Sequence, residues 1–242
     1  MLLEIKNLYV KYGNIEALHG ISFTVDKGEI VTLIGANGAG KTTTLHAITR
    51  VPPPEGSKVS GGDILYNGKS LLNVPAHSIV ADYNIALAPE GRHIFGNLTV
   101  EENLKLATYS RGAEDESLKK DYERVYALFP KMSERRHQRS ETLSGGEQQM
   151  LSVSRAIMTS CNFILLDEPS MGLSPLLMYD MFRVLKQLNE EGMTILLIEQ
   201  NANLALKFAH RGYVLDTGEI VASGTANELL SNPDVKKAYL GG

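Results

Sequence analysis

Gly35-Ala36-Asn37-Gly38-Ala39-Gly40-Lys41-Thr42 sets three glycines, a lysine and a hydroxyl in an order that could cradle a polyphosphate. The glycines let the backbone wrap closely around phosphate oxygens with its N–H groups turned inward. The helix starting near Lys41 adds the positive end of its dipole. In a G-x-x-x-x-G-K-[ST] loop the lysine reaches the β- and γ-phosphates and the hydroxyl ligates Mg²⁺; this gives those tasks to Lys41 and Thr42, with Thr43 beside them at the nucleotide. A glycine-rich turn that happens to contain a lysine is the competing reading. The apolar run Ile30–Ile34 directly before the loop argues against it, because the motif requires a strand, then the loop.

A second cluster lies at Phe163-Ile164-Leu165-Leu166-Asp167-Glu168-Pro169, an apolar strand ending in two carboxylates. Ligands of open α/β sheets collect at the carboxyl ends of parallel strands. Asp167 is placed to complete the Mg²⁺ shell. Glu168 is then free to orient or deprotonate an attacking water. The third cluster is Leu143-Ser144-Gly145-Gly146-Glu147-Gln148-Gln149. Ser144 and Glu147 have the spacing of a capping box, which is its plain structural explanation. Capping does not call for Gly145 and Gly146, each costing up to about 1 kcal/mol against Ala inside a helix. Bare residues at a helix N-terminus suit a site that something approaches closely, and an anion is the natural candidate.

These residues need a scaffold. Strands are predicted at Leu3–Leu8, Ile21–Val25, Ile30–Ile34, Asp63–Tyr66 and Asn84–Ala88, with the turn signals Asp26-Lys27-Gly28 and Asn67-Gly68. One helix, Thr42–Arg50, is predicted among them, stopped by Pro52-Pro53-Pro54. From Leu98 to Arg139 the pattern turns helical, opening on a capping box at Thr99 and Glu102 and continuing through Leu118–Phe129. After Gly145 helices (Glu147–Thr159, Pro175–Glu191, Asn203–Ala209) alternate with strands (Phe163–Leu166, Thr194–Ile198), ahead of a hairpin across Asp216-Thr217-Gly218. Such alternation predicts a mainly parallel sheet covered by helices.

Composition limits the rest. With 242 residues, 43% of them hydrophobic, the chain can bury a full core. A net charge of −4 with no long Lys/Arg run speaks against a nucleic-acid partner. Cys161, the single cysteine, cannot form an intrachain disulfide and suits a reducing setting. No apolar stretch approaches the roughly 18 residues of a transmembrane span, and Met1-Leu2-Leu3-Glu4 lacks the charge pattern of a signal peptide. Membrane association is therefore expected to go through a partner protein.

The phosphate loop, Leu143–Gln149 and Phe163–Pro169 together resemble the ATP-binding subunits of ABC transporters, over nearly the whole chain. The resemblance implies an α/β fold: a P-loop NTPase core with a mainly parallel sheet, an N-terminal antiparallel β subdomain, and a helical subdomain inserted at about residues 90–140 of a single domain spanning 1–242. It implies ATP and Mg²⁺ as cofactors. It also implies a head-to-tail dimer, with an identical or closely paralogous ATPase subunit, in which Ser144, Gly145, Gly146 and Glu147 close over ATP held by Gly35–Thr43 of the other subunit. Transmembrane permease subunits, and through them a solute-binding protein, complete the assembly on the cytoplasmic face of the membrane. Tyr12 stands where the family places an aromatic ring on adenine, a task its ring suits.

Three positions depart from the common family pattern. Glu90, in Ala88-Pro89-Glu90-Gly91-Arg92, replaces a glutamine that touches Mg²⁺; it keeps an oxygen ligand for a hard cation and adds charge. Gln200 replaces a histidine at the γ-phosphate; it can donate a hydrogen bond but carries no proton, leaving Glu168 as the base. Ser174 replaces an aspartate of the loop after the acidic pair. These departures, with the tail Thr217–Thr225, Asn232–Val235 and Ala238–Gly241, resemble the ATPases of branched-chain amino-acid importers. Relatives serving urea uptake or lipopolysaccharide export remain alternatives. So does a soluble ABC-type mechanochemical ATPase, although this chain has no heptads or basic arm. A P-loop kinase would leave the second glycine-rich helix start without a purpose. The stretch from Glu90 to Arg111, with Arg92-His93 and the apolar Ile94-Phe95, is expected to receive the coupling element of a membrane subunit.

Overall fold

The strands at the centre of the molecule read as uninterrupted apolar runs because both of their faces are covered. The computed structural model describes residues 1–51, 56–111 and 115–239; Pro52-Pro53-Pro54, Leu240 and Gly241 lie outside them. In chain order the first half runs β1 (Leu3–Tyr12), β2 (Ile15–Val25), β3 (Ile30–Ile34), α1 (Lys41–Thr49), β4 (Lys58–Tyr66), β5 (Lys69–Ser70), α2 (Ala76–Ala81) and β6 (Ile85–Ala88). Helices α3 (Val100–Ala107), α4 (Asp115–Leu128), α5 (Pro130–Glu134) and α6 (Gly145–Met158) follow. The chain then passes through β7 (Phe163–Asp167), α7 (Pro175–Glu190), β8 (Thr194–Glu199), α8 (Ala202–Phe208), β9 (Arg211–Asp216), β10 (Glu219–Thr225), α9 (Ala226–Ser231) and α10 (Pro233–Tyr239).

One sheet has the order β10-β9-β3-β8-β7-β6, parallel except for β10, which closes a hairpin on β9. The other, β2-β1-β4-β5, is antiparallel. Side chains of alternate residues enter two separate cores. Ile30, Ile34, Ile164, Leu166, Ile195 and Leu197 pack against α6, α7 and α8. Val31, Leu33, Phe163, Leu165, Leu196 and Ile198 face the antiparallel sheet and α1. The fold is thus α/β, with mixed parallel and antiparallel sheets.

Several elements differ from the sequence expectation. β1 and β2 run far longer than Leu3–Leu8 and Ile21–Val25, because register shifts after Ile5, Leu8 and Val10 break the period-two pattern that marks a strand. α1 ends one residue early, at Thr49, with Arg50 left-handed (φ 58°) at its C-cap. α2 was not expected; it has no side-chain N-cap bond and buries only Ile79. α9 was also missed, although Thr225 and Glu228 form a reciprocal capping box.

Between β6 and β7 the helices are pinned by a buried amide. Asn103 is fully buried; its Nδ2 donates to Phe95 O at 3.0 Å and Ser140 Oγ at 2.9 Å, and its Oδ1 accepts from Phe95 N at 2.9 Å. Through it the loop carrying Arg92–Phe95 is fastened to both ends of the helical segment.

Candidate nucleotide site

Four adjacent strands deliver their carboxyl ends to one place, as the rule for open α/β sheets requires. β3 leads into Gly35–Thr43, β8 into Gln200, β7 into Asp167 and Glu168, and β6 toward Glu90. A cavity of about 250 Å³ lies there, lined by Asn37, Gly38, Gly40, Lys41, Thr42, Thr43, Glu90, Glu168 and Gln200. Ala17 and Met171 complete its wall. Sequence reasoning passed over both; Met171 follows the acidic pair closely enough to have been considered, whereas nothing marks Ala17.

The loop's glycines serve different ends. Gly40 is left-handed (φ 103°), and a Cβ there would lie 2.6 Å from Leu18 Cδ2. At Gly35 a Cβ would sit 2.1 Å from the carbonyl oxygen of Leu215, so packing against β9 alone demands glycine. Gly218 N donates to Ala39 O at 3.0 Å, and the β9–β10 turn thereby buttresses the loop from behind. Helix α1 starts with no side-chain cap.

Lys41 is almost fully buried. Its Nζ donates to the carbonyls of Gly35 (2.9 Å) and Ala36 (3.0 Å), and Glu168 Oε1 lies 3.7 Å away. The ammonium is therefore held by weak acceptors that a phosphate could replace. Asp167 is 2% exposed, and one of its oxygens, Oδ1, has no hydrogen-bond partner. Burial pushes its carboxyl up to about 6; the Thr42 hydroxyl opposes the shift, and the charges of Glu90 and Glu168 add to it. An orphaned buried carboxylate oxygen beside the Thr42 hydroxyl and the Glu90 carboxylate is a donor set that fits a hard divalent cation such as Mg²⁺. Tyr12, at the end of β1, is tied to this cluster by a 3.1 Å hydrogen bond between its hydroxyl and Thr43 Oγ1.

Ser144, Gly145, Gly146 and Glu147 do not line this cavity. They form the first turn of α6, where Ser144 N donates to Glu147 Oε2 (2.9 Å) and Glu147 N to Ser144 Oγ (3.4 Å), a complete capping box. The two glycines have a local reason to be small. A Cβ on Gly145 would lie 2.7 Å from Arg92 Nη2, and one on Gly146 2.7 Å from Leu177 Cδ1. Arg92 also donates to Gln148 Oε1 at 2.8 Å. Ser174, which stands in for the family's aspartate, accepts from Leu177 N as the N-cap of α7.

A second, larger hollow of about 660 Å³ opens among α1, α2, β6 and α6. Val51, Ile79, Val80 and Pro89 give it apolar walls, and Arg92 and Arg155 bring positive charge. Phe95 stands at 43% exposure with the Arg155 guanidinium 4.8 Å above its ring, while Ile94 packs against the core. No helix among the described residues is long and apolar enough to cross a membrane.

Comparison with known proteins agrees with this geometry. Residues 18–171 match the protein family described as ABC transporter. The chain is 47% identical, over 100% of both chains, to the high-affinity branched-chain amino acid transport ATP-binding protein BraG of Pseudomonas aeruginosa. It is 32% identical to the lipopolysaccharide export system ATP-binding protein LptB of Escherichia coli, over 99% of this chain and 97% of LptB. A nucleotide-free ATP-binding cassette from an ABC transporter superposes with a TM-score of 0.83 at 28% identity, covering 100% of this chain and 99% of the other. The chain belongs to the ABC transporter family, as one of its ATP-binding, ATP-hydrolysing cassettes.

Proposed function

We propose that this cassette powers the import of branched-chain amino acids. The observation that carries the reading is the convergence of Lys41, Thr42, Glu90, Glu168 and Gln200 on one cavity at the ends of β3, β6, β7 and β8. The full-length likeness to BraG supports the choice of solute class. ATP enters with its phosphates on Gly35–Thr43, and Lys41 leaves the carbonyls of Gly35 and Ala36 for the β- and γ-oxygens. Thr42, Asp167 and Glu90 would hold Mg²⁺, which supplies positive charge to the triphosphate. The Tyr12 ring stacks on adenine.

Glu168 accepts the proton of a water as that water attacks the γ-phosphorus, and the bond to the β–γ bridging oxygen breaks to release ADP and phosphate. Gln200 donates a hydrogen bond to the γ-phosphate. A second copy of the chain, or a close paralogue, brings Ser144–Glu147 to the far side of the nucleotide. The hollow beside Arg92 and Phe95 takes a short amphipathic helix of a transmembrane permease, in the manner of helix-in-groove recognition. The cassette then sits on the cytoplasmic face of the membrane and meets a solute-binding protein only indirectly.

The test is reconstitution of the cassette with its permease subunits in vesicles. ATP-driven uptake of leucine, isoleucine or valine is expected. Transport of urea instead, or extraction of lipopolysaccharide, would move the chain to the corresponding relatives. Hydrolysis with no co-purifying membrane subunit would favour a soluble mechanochemical role.

A further inference from the structure

Glu199, the last residue of β8, is a carboxylate at 2% exposure that the proposed chemistry does not use. A buried charge is costly unless it is well partnered, and an apolar side chain would fill the space more cheaply. What an apolar residue cannot do is accept hydrogen bonds. Glu199 Oε1 accepts from Ser170 N at 3.0 Å.

That bond belongs to a turn that carries Glu168. Glu168 N donates to Ile198 O (2.9 Å), Ser170 N to Glu199 Oε1 (3.0 Å) and Met171 N to Glu168 O (3.1 Å), so residues 168–171 hang from the end of β8. Glu168 itself has φ 47°, in the left-handed region that non-glycine residues avoid. A strained conformation of this kind persists only where its surroundings over-determine it, and it is common where a side chain must be aimed.

We propose that Glu199 is a positioning residue: its carboxyl anchors the Glu168–Met171 turn through Ser170 and so keeps Glu168 left-handed, with its carboxylate in the nucleotide cavity. The next residue is Gln200, so one strand end sets both groups proposed to meet the γ-phosphate. Burial, with the Glu168 charge in a lesser part, pushes the Glu199 carboxyl up to about 7, against the pull of its Ser170 bonds. The protonated and ionised forms both keep an acceptor oxygen for Ser170. The inference rests on the assignment of Glu168 as the base.

Glu199→Ala, the volume-matched Glu199→Leu, Glu199→Gln and the control Glu168→Gln separate the possibilities, each purified as the full chain with Mg-ATP. Single-turnover hydrolysis and equilibrium ATP affinity are measured on each, after a thermal melt shows it folded. Loss of the anchor in Ala and Leu is expected to slow hydrolysis about tenfold to a hundredfold, the scale of a small misplacement, while ATP affinity stays within about twofold. Glu199→Gln, which keeps an acceptor oxygen, is expected to recover to within about threefold of wild type. Wild-type hydrolysis in either Glu199→Ala or Glu199→Leu overturns the proposal, as does a Glu199→Gln as slow as they are. If Glu168→Gln itself still turns over ATP, the base assignment fails; if it stops while the Glu199 variants run normally, only the positioning role fails.

Discussion

Two helices of this molecule have glycines at their N-terminal ends, and they treat those ends in opposite ways. α1 begins at Lys41 after a left-handed Gly40, with no side-chain cap, and faces a cavity. α6 begins at Gly145 behind a reciprocal Ser144–Glu147 box, with the Arg92 guanidinium against Gly145 and Leu177 against Gly146. The orphan N–H groups of a helix start attract anions. At α1 no side chain caps them, and the residues around the helix start line a cavity. At α6 part of that capacity is already satisfied within the chain, and the positive charge of Arg92 lies beside the turn. The lesson is that glycines at a helix start do not by themselves distinguish a ligand site from a packed one, because at α6 the same small residues also make room for Arg92 and Leu177.

The sharpest way to break this contrast is Lys41→Ala. It removes the only side-chain cation of the phosphate loop, and ATP affinity is expected to fall by at least about a hundredfold, in line with loss of charge-assisted bonds to phosphate. Equilibrium titration with ATP checks this, and wild-type affinity would sink the assignment of α1 as the nucleotide-gripping start.

Glu168→Gln comes next. It preserves shape and deletes the base, so hydrolysis is expected to drop by about a hundredfold or more while ATP binding persists. With ATP trapped, two chains should run together on size-exclusion chromatography in Mg-ATP. A purely monomeric profile would argue that the α6 start is not completed by a second subunit.

Gln200→Ala is expected to slow single-turnover hydrolysis by roughly tenfold to a thousandfold, the range for losing one donor to developing charge, with little change in binding. Gln200→His should retain activity and acquire a pH dependence between about 6 and 8. An unchanged rate in Gln200→Ala would remove this residue from the γ-phosphate.

On the α6 side, Arg92→Glu replaces the guanidinium that bonds Gln148 and lines the hollow. ATP binding by the isolated chain should stay within about twofold, as the residue is outside the phosphate cavity. Co-purification with permease subunits should weaken. Normal transport by this variant would refute a coupling role.

The smallest expected effect is on stability. The fold holds the proton of Asp167 to about 6 against an ordinary 3.8, and that of Glu199 to about 7 against 4.5. A folded state that binds protons more tightly than the unfolded chain gains stability in acid. That contribution is complete below about pH 4 and is lost as pH rises through 6 and 7. Asp167→Asn removes one such group, and the nucleotide-free variant should melt a few degrees higher than wild type near pH 8, with a shallower decline between about pH 4 and 6. Parallel melting curves for the two proteins would show that Asp167 ionises without cost.

Much of this site was legible in advance because its chemistry is local. A phosphate loop needs its residues in one short run, and an acidic pair at a strand end needs only the strand before it, so Gly35–Thr43 and Asp167-Glu168 could be read from spacing. The capping boxes at Thr99 and Ser144 were legible for the same reason. Gln200 and Glu90 came only from family resemblance, since a lone amide or carboxylate has no signal of its own. The full length of β1 and β2 was hidden by register shifts, and α2 by the absence of caps and of an apolar face.

The sequence by itself determined the nucleotide chemistry and the alternation of strands and helices, because both depend on neighbours along the chain. Only the tertiary structure decided which distant residues share a wall. The order β3-β8-β7-β6 brings Lys41, Gln200, Glu168 and Glu90 to one cavity, and pairing between strands far apart in the chain leaves no local trace. The same holds for Arg92 against Gly145 and for Glu199 under Ser170. Hydrogen bonds and close contacts of that kind are set by where the sheet and its covering helices place the backbone.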